Sequence, residues 1–312
     1  MTLQQQLAYV FLPRDVFLAV GVFDGVHRGH QRLVTRLREE AAKRGLLSGA
    51  FTFRNHPRTV LQQGLELGYI TLAKTRRELL RALGLDMVLM IEFTPEIART
   101  PAREFVSTLQ ERLRMRGLVV GPDFALGQGR GGNVAALRKL GQEMGFDLVV
   151  LEAERENGEP ISSSTVRAAI MTGEIERAAR MLGRPFTLEG EVVKGDGRGA
   201  ELGFPTANLK PGPERIIPRN GIYATWTLVD GERRPSTTSI GVRPTFGPGQ
   251  RTIETYIIDY NGDLYGKEIA VQFIRRLRDE SRFNTAKALS IQIAKDVEQA
   301  RKALSPGRQD IA

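Results

Sequence analysis

The hydrophobic pattern of this chain changes character at Gly183-Arg184-Pro185, and no single sheet or bundle accommodates both halves. Before that point, apolar runs alternate with segments of helical period. VFLAVGVF (16–23), LLSGAFTF (46–53), MVLMIEF (87–93), GLVVG (117–121) and FDLVVLEA (146–153) read as strands. Residues 31–44, 74–83 and 134–144 read as helices, the first with Leu33, Val34, Leu37 and Ala41 on one stripe. Pro101 opens another helix at its first turn, and helices over 164–171 and 174–182 follow. This layout predicts a parallel α/β sheet. From Phe186 to Phe273 the segments are short, alternating and punctuated by Gly, Pro, Asn and Asp. TLEGEVVKG, GIYATWTLVDG, TTSIGV, TIETYIIDY and KEIAVQFI read as antiparallel strands, enough for a small closed barrel. A final helix over 285–303 carries Leu289, Ile293, Val297 and Ala300 on one stripe. The expected division is therefore 1–184, 185–305 and a frayed tail, 306–312.

Composition narrows the setting. The 312 residues, 41% of them hydrophobic, support two cores. No apolar run is long enough to span a membrane, and the N-terminus lacks the pattern of a signal peptide. The absence of cysteine excludes disulfides, thiolate zinc sites and cysteine nucleophiles, and the cytoplasm is the expected location. The formal charge of +9 favours polyanions, which include nucleotides and metabolite phosphates as well as nucleic acid. There is no dense Lys/Arg block and no basic stripe interleaved with aromatics, so nucleic acid is the weaker use of that charge. The partners expected are small molecules, with neither nucleic acid nor membrane, and the chain is expected to act as a monomer or weak homo-oligomer.

The chain has three histidines, and two of them, His27 and His30, fall in VFDGVHRGHQ, where the first strand hands over to the first helix. Asp24-Gly25 makes the turn and Gly29 permits a close backbone approach. A helix N-terminus presents unpaired N–H groups, and two imidazoles add donors aimed at the same anion, so the pair reads as a phosphate clamp. Two other readings stand beside it: local helix caps, and a metal site for which only His56 is a further imidazole. ISSSTVR (161–167), taken alone, reads as a serine N-cap.

GDGRGAELGFPTANL (195–209) marks the second half. Gly195, Gly199 and Gly203 belong to a glycine-rich loop whose backbone N–H groups suit phosphates, although a plain hairpin tip has the same composition. No Gly-Lys-Ser/Thr follows, so this is not a Walker sequence. Thr206 and Asn208, two residues apart on an extended segment, point the same way, and both suit a Mg²⁺–phosphate complex.

The motifs together resemble one family. FDGVHRGH is similar to the HxGH motif of nucleotidyltransferases, and more narrowly to the N-terminal module of prokaryotic bifunctional riboflavin kinase/FMN adenylyltransferases (FAD synthetases). FTFRNHPRTVL (51–61), GPDFALGQGRGG (121–132) and ISSSTVR continue the match. GFPTANL, GIYA, SIGVRPTF, TIETYIIDY, DLYGKEI and LRDESRF are similar to the riboflavin kinase module. The resemblance implies a Rossmann-like nucleotidyltransferase sheet followed by a six-stranded barrel with a terminal helix. It implies conversion of riboflavin and ATP to FMN, then of FMN and ATP to FAD and pyrophosphate. In the first module it assigns ATP and flavin contacts to Phe23, Asp24, His27, Gly29, His30 and His56, and to Asp123 and Phe124. Ser163, Ser164 and Arg167 would clamp the β- and γ-phosphates. In the second it assigns Mg²⁺ and ATP phosphate to Thr206 and Asn208, and the general base to Glu254. Glu254 is expected to face inward from its strand, the alternative being an outward, solvated side chain. Arg278 and Phe283 would line the flavin entrance. Val22, Arg54-Asn55 and Ala200 depart from the usual Asn, Asp-Pro and Arg of the family.

Overall fold

The apolar run Val16–Val20 forms β1 at the centre of a five-stranded parallel sheet, since a strand covered on both faces has no polar side to present. The computed structural model describes the chain except for residues 63, 196, 243–250 and 306–312. The expected tail and residues 243–246 of SIGVRPTF lie outside the described residues.

In the first half, β1 is followed by α1 (Arg28–Lys43), β2 (Leu47–Phe53), α2 (Ala73–Ala82), β3 (Met87–Ile91), α3 (Ala102–Leu113), β4 (Met115–Val120), α4 (Val134–Met144) and β5 (Asp147–Val150). The sheet order is β3-β2-β1-β4-β5. The alternation of β1 divides its side chains between two cores. Val16, Leu18 and Val20 join Phe51, Phe105 and Leu109 on one face, while Phe17 and Ala19 meet Val34 and Leu37 of α1 on the other. The chain runs from β1 to β2 and β3 on one side, and from β4 to β5 on the other. The reversal lies between β1 and β4, where open α/β sheets bind ligands at the carboxyl ends of their strands. The loop carrying His27 and His30 leaves β1 at this point.

The second half has α5 (Ser163–Thr172) and α6 (Ile175–Leu182), then β6 (Phe186–Val193), β7 (Thr206–Pro211), β8 (Gly221–Val229), β9 (Glu232–Val242), β10 (Arg251–Ile257), β11 (Glu268–Arg278) and α7 (Ala286–Leu304). The six strands close a barrel in the order β6-β7-β10-β9-β8-β11. Period-two alternation turns Leu188, Val192, Leu209, Tyr223, Val271 and Phe273 into its buried core. Thr225, Thr227, Ser236, Thr238 and Thr255 are buried too, and they bond one another at 2.8–3.0 Å, so no hydroxyl among them lacks a partner. By contacts the chain divides into two compact units between Ser163 and Ser164, upstream of the pattern change, because α6 packs on β6 and β11.

Candidate active sites

The loop after β1 is held in an uncommon backbone conformation. Phe23 and Val26 have positive φ (55° and 41°), as does Gly25 (82°). A β-branched residue in that region is strained, and such strain persists only where the surroundings impose it. Here burial imposes it: Phe23 and Val26 are 3% and 2% exposed and pack into the core beneath α1. Asp24 is the second anchor. Its carboxylate accepts from the N–H groups of Ile70 (3.1 Å) and Thr71 (3.0 Å) and from the Thr71 hydroxyl (3.2 Å). The Asp24 side chain, expected among the nucleotide contacts, is thus turned into the protein and braces the loop.

This frame presents the histidines together. His27 caps α1, its Nδ1 accepting from the N–H of His30 at 3.4 Å. The two rings stack at 3.6 Å between centroids, and Phe23 meets His30 edge-on at 5.1 Å. A side chain at Gly29 would approach the His27 ring to 3.2 Å, so the glycine makes room for that imidazole. Burial pushes the His30 pKa well below the usual 6.5, and the charges of His27 and Arg76 push the same way. His30 is therefore neutral at physiological pH. Its Nδ1 is buried without a hydrogen-bond partner. Ser163 reaches this loop, its hydroxyl donating to the Asp24 carbonyl at 2.9 Å.

His56 lies on the loop after β2. It caps the short helix Pro57–Leu61, accepting from the Arg58 N–H at 3.1 Å, while its own N–H donates to the Tyr69 hydroxyl at 2.6 Å. Of the departures from the family pattern, Asn55 makes a reciprocal amide pair with the Phe93 backbone at 2.8 Å, and the Val22 carbonyl accepts from the Thr52 hydroxyl. Asp123 is exposed beyond β4, and Phe124 packs partly on the core. Ser164, exposed, and Arg167, buried, fall in the second compact unit.

In the barrel, β7 pairs with β10 so that Asn208 lies opposite Glu254 and Thr206 opposite Tyr256. Thr206, Asn208 and Glu254 share one face of these strands, and Thr206 Oγ1 donates to Glu254 Oε2 at 3.5 Å. The expected inward direction of Glu254 is not what the strand adopts. Ile253 and Thr255 take the barrel interior, so Glu254 points outward into a half-buried cleft beside α7. The glycine loop closes over the same face. A Cβ on Gly195 would fall 2.2 Å from Asn208 Nδ2, and one on Gly199 would fall 2.5 Å from the Phe204 carbonyl and 3.2 Å from Thr206 Oγ1. Gly203 has φ 83°, and Ala200 stands exposed on the short helix Arg198–Glu201 within this loop.

Two cavities meet at Thr206. One of about 310 Å³ is bounded by Phe204, Tyr256, Phe283, Leu289 and Ile293, with Glu254 on its wall. The other, about 410 Å³, is bounded by Pro205, Ile257 and the segment Tyr260 to Tyr265. Arg278 lines the smaller cavity but is not free in it. It makes a two-pronged ion pair with Asp296 of α7 (2.8 and 2.6 Å), with Phe283 lying 6.0 Å from its guanidinium. Sequence reading misses Asp296, because a lone acid on a helix carries no signal until its partner strand is known. Among the described residues no group of three or more His, Cys, Asp or Glu side chains forms a metal cluster.

A parallel α/β sheet followed by a closed six-stranded barrel is the frame of a transferase with two modules, as the family models bear out. The family model described as FAD synthetase matches residues 12–165, and the one described as riboflavin kinase matches residues 182–304. The chain is 33% identical over 286 residues to the bifunctional riboflavin kinase/FMN adenylyltransferase of Listeria monocytogenes, covering 91% of each. It is 37% identical over 287 residues to that of Escherichia coli K12, again 91% of each. A crystal structure of a Streptococcus pneumoniae protein described as a macrolide-efflux protein shares the fold, with a TM-score of 0.88 and 27% identity over 95% of this chain and 97% of that one. Among the described residues, no helix is long and apolar enough to cross a membrane. The chain belongs to the bifunctional riboflavin kinase/FMN adenylyltransferase family. It phosphorylates riboflavin with ATP to FMN, and adenylylates FMN with ATP to FAD.

Proposed function

We infer that the two reactions divide as 1–184 for adenylylation and 185–305 for phosphorylation, with the residues named above as their machinery. One observation carries the kinase assignment: Thr206, Asn208 and Glu254 share a face of β7 and β10, with Thr206 on the wall of both cavities. The smaller cavity, walled by aromatic and aliphatic side chains, suits the flavin ring, and the larger one suits ATP. Glu254 takes the proton of the riboflavin 5′-hydroxyl as that oxygen attacks the γ-phosphorus of ATP, the bond to the β,γ-bridging oxygen breaks and ADP leaves. The hydroxyl of Thr206 and the amide oxygen of Asn208 are hard oxygen donors of the kind Mg²⁺ accepts beside phosphate. When bound there, Mg²⁺ neutralises charge on the transferring group. Gly195, Gly199 and Gly203 let the loop backbone approach the phosphates, and Phe283 borders the flavin, held by Arg278 and Asp296.

In the adenylylation site a phosphate oxygen of FMN attacks the α-phosphorus of ATP, and pyrophosphate leaves. No covalent nucleophile is needed, so the work is positioning and charge stabilisation. His27 accepts at Nδ1, which leaves Nε2 as the ring's donor. His27, His30 and the N-terminus of α1 hold the phosphates. Phe23, Asp24 and Gly29 shape that loop, with Ser163 bonded to it. His56, Asp123 and Phe124 border the nucleotide and flavin. The cytoplasm, which supplies ATP, suits both reactions, and a monomer or weak homo-oligomer suffices for them.

The test is one incubation of the protein with riboflavin, ATP and Mg²⁺, followed by separation of the products. FMN first and FAD later supports the order proposed. FMN alone limits the assignment to the barrel.

A further inference from the structure

The largest fully buried side chain in the described residues is a charged one, Arg76 in the first turn of α2. It is 0% exposed, and its hydrogen bonds go to backbone carbonyls. A terminal nitrogen donates to the carbonyls of Phe53 (2.5 Å) and Arg54 (3.0 Å), which lie just before His56. Its Nε and second terminal nitrogen are buried without hydrogen-bond partners. Burying a guanidinium in this way is costly, and such a group is kept where its position matters.

The segment that leads into α2 explains the position. Tyr69 accepts from the His56 N–H at 2.6 Å. Ile70 and Thr71 donate to the Asp24 carboxylate, and Thr71 Oγ1 accepts from the Gly25 N–H at 3.0 Å. Arg76 then grips the end of β2. Over the span from Tyr69 to Arg76 the chain ties down the loop that carries His27 and His30 and the loop that carries His56. All three histidines are set by this one segment.

We propose that Tyr69 and Arg76 are positioning residues of FMN adenylylation, through which residues 69–76 lock the two histidine loops into a single site. The proposal rests on the assignment of the histidine loop to adenylyl transfer. Neither side chain needs to touch substrate. Arg76 also sets a fixed positive charge near His30, whose other neighbours are the stacked His27 ring and the edge of Phe23. Asp24 and Tyr69 are the groups that act electrostatically on Arg76 from the other side. That charge adds to burial, the main cause, in holding the His30 pKa low.

The experiment uses the full chain with Tyr69→Phe, Arg76→Lys and Arg76→Gln. Riboflavin kinase activity in the same sample reports concentration, and thermal unfolding followed on the full chain reports whether the first compact unit, which holds Tyr69 and Arg76, stays folded. Tyr69→Phe, which deletes one oxygen, and Arg76→Gln are expected to lower kcat for FAD formation from supplied FMN by about 10-fold and about 100-fold. FMN formation is expected to stay unchanged. With only three histidines in the chain, imidazole titration by NMR resolves His30. Its midpoint is expected to rise in Arg76→Gln and to stay low in Arg76→Lys, which keeps the charge; a merely structural role would not separate those two variants. Wild-type FAD formation in all three variants, or a proportional fall of both activities, overturns the proposal. His27→Asn and His30→Asn distinguish the underlying reading. If they retain FAD formation, the histidine assignment fails; if they lose it while the Tyr69 and Arg76 variants keep it, only the present inference fails.

Discussion

Asn208 and Glu254 stand directly opposite each other on β7 and β10, and Thr206, two residues from Asn208, reaches the same carboxylate at 3.5 Å. The ladder, not a loop, sets this spacing. Strand-borne groups of this kind vary little in position, which suits in-line transfer.

Glu254→Gln preserves shape and removes the base. FMN formation should fall by about 10²- to 10⁴-fold. FAD formation from supplied FMN should be unaffected. Chromatography of the two reactions checks this, and a parallel fall in both would refute the two-site assignment.

Gly195→Ala should act on the kinase alone. The new methyl group would lie 2.2 Å from Asn208 Nδ2, so the amide must leave its place opposite Glu254. The expected result is a raised KM for ATP and a lowered kcat in riboflavin phosphorylation. Steady-state kinetics at varied ATP measures it.

The pair of half-buried Arg278 and buried Asp296 should behave asymmetrically. Asp296→Ala leaves the guanidinium without its carboxylate and should cost roughly 3 kcal/mol. Replacing both, as Arg278→Met with Asp296→Leu, should cost less, because no buried charge is left behind. Denaturant unfolding gives the stabilities. Since the pair holds Phe283 beside the cleft, KM for riboflavin should rise in the single variant.

The His30 imidazole makes stability depend on pH. Its folded pKa lies well below the usual 6.5, so the unfolded chain binds a proton first as pH falls. The stability this group contributes is fully present above about 6.5 and is lost progressively below it, toward the folded value. Unfolding of the first compact unit should become easier as pH falls below about 6.5. His30→Gln should flatten that part of the curve, as denaturation at several pH values would reveal.

Much of the architecture is legible in the order of the residues. The run Val16–Val20 is apolar at every position because both faces of a central parallel strand are covered, and such a run has few other uses. Helix α4 is readable to its ends because Asn133 caps it and Gly145 closes it with a left-handed turn. Barrel strands are readable by alternation, yet alternation puts Glu254 on the wrong side. A single carboxylate among β-branched neighbours does not tell which set faces inward; the registers with β7 and β9 decide that.

Motif spacing by itself determined which residues stand side by side: two histidines three apart at a helix start, and a threonine and asparagine two apart on a strand. Those are local facts, carried by 3.6-residue and two-residue periods. Tertiary structure alone decided what holds them. The Asp24 carboxylate accepts from Ile70 and Thr71, a bracing contact that no motif announces. Arg278 is committed to Asp296, and Tyr69 and Arg76, in no motif, join loops that are far apart in the chain. Such pairings depend on which strands neighbour one another. Sheet order is a long-range property, fixed by how two cores close on both faces of a sheet, and no window of sequence contains it.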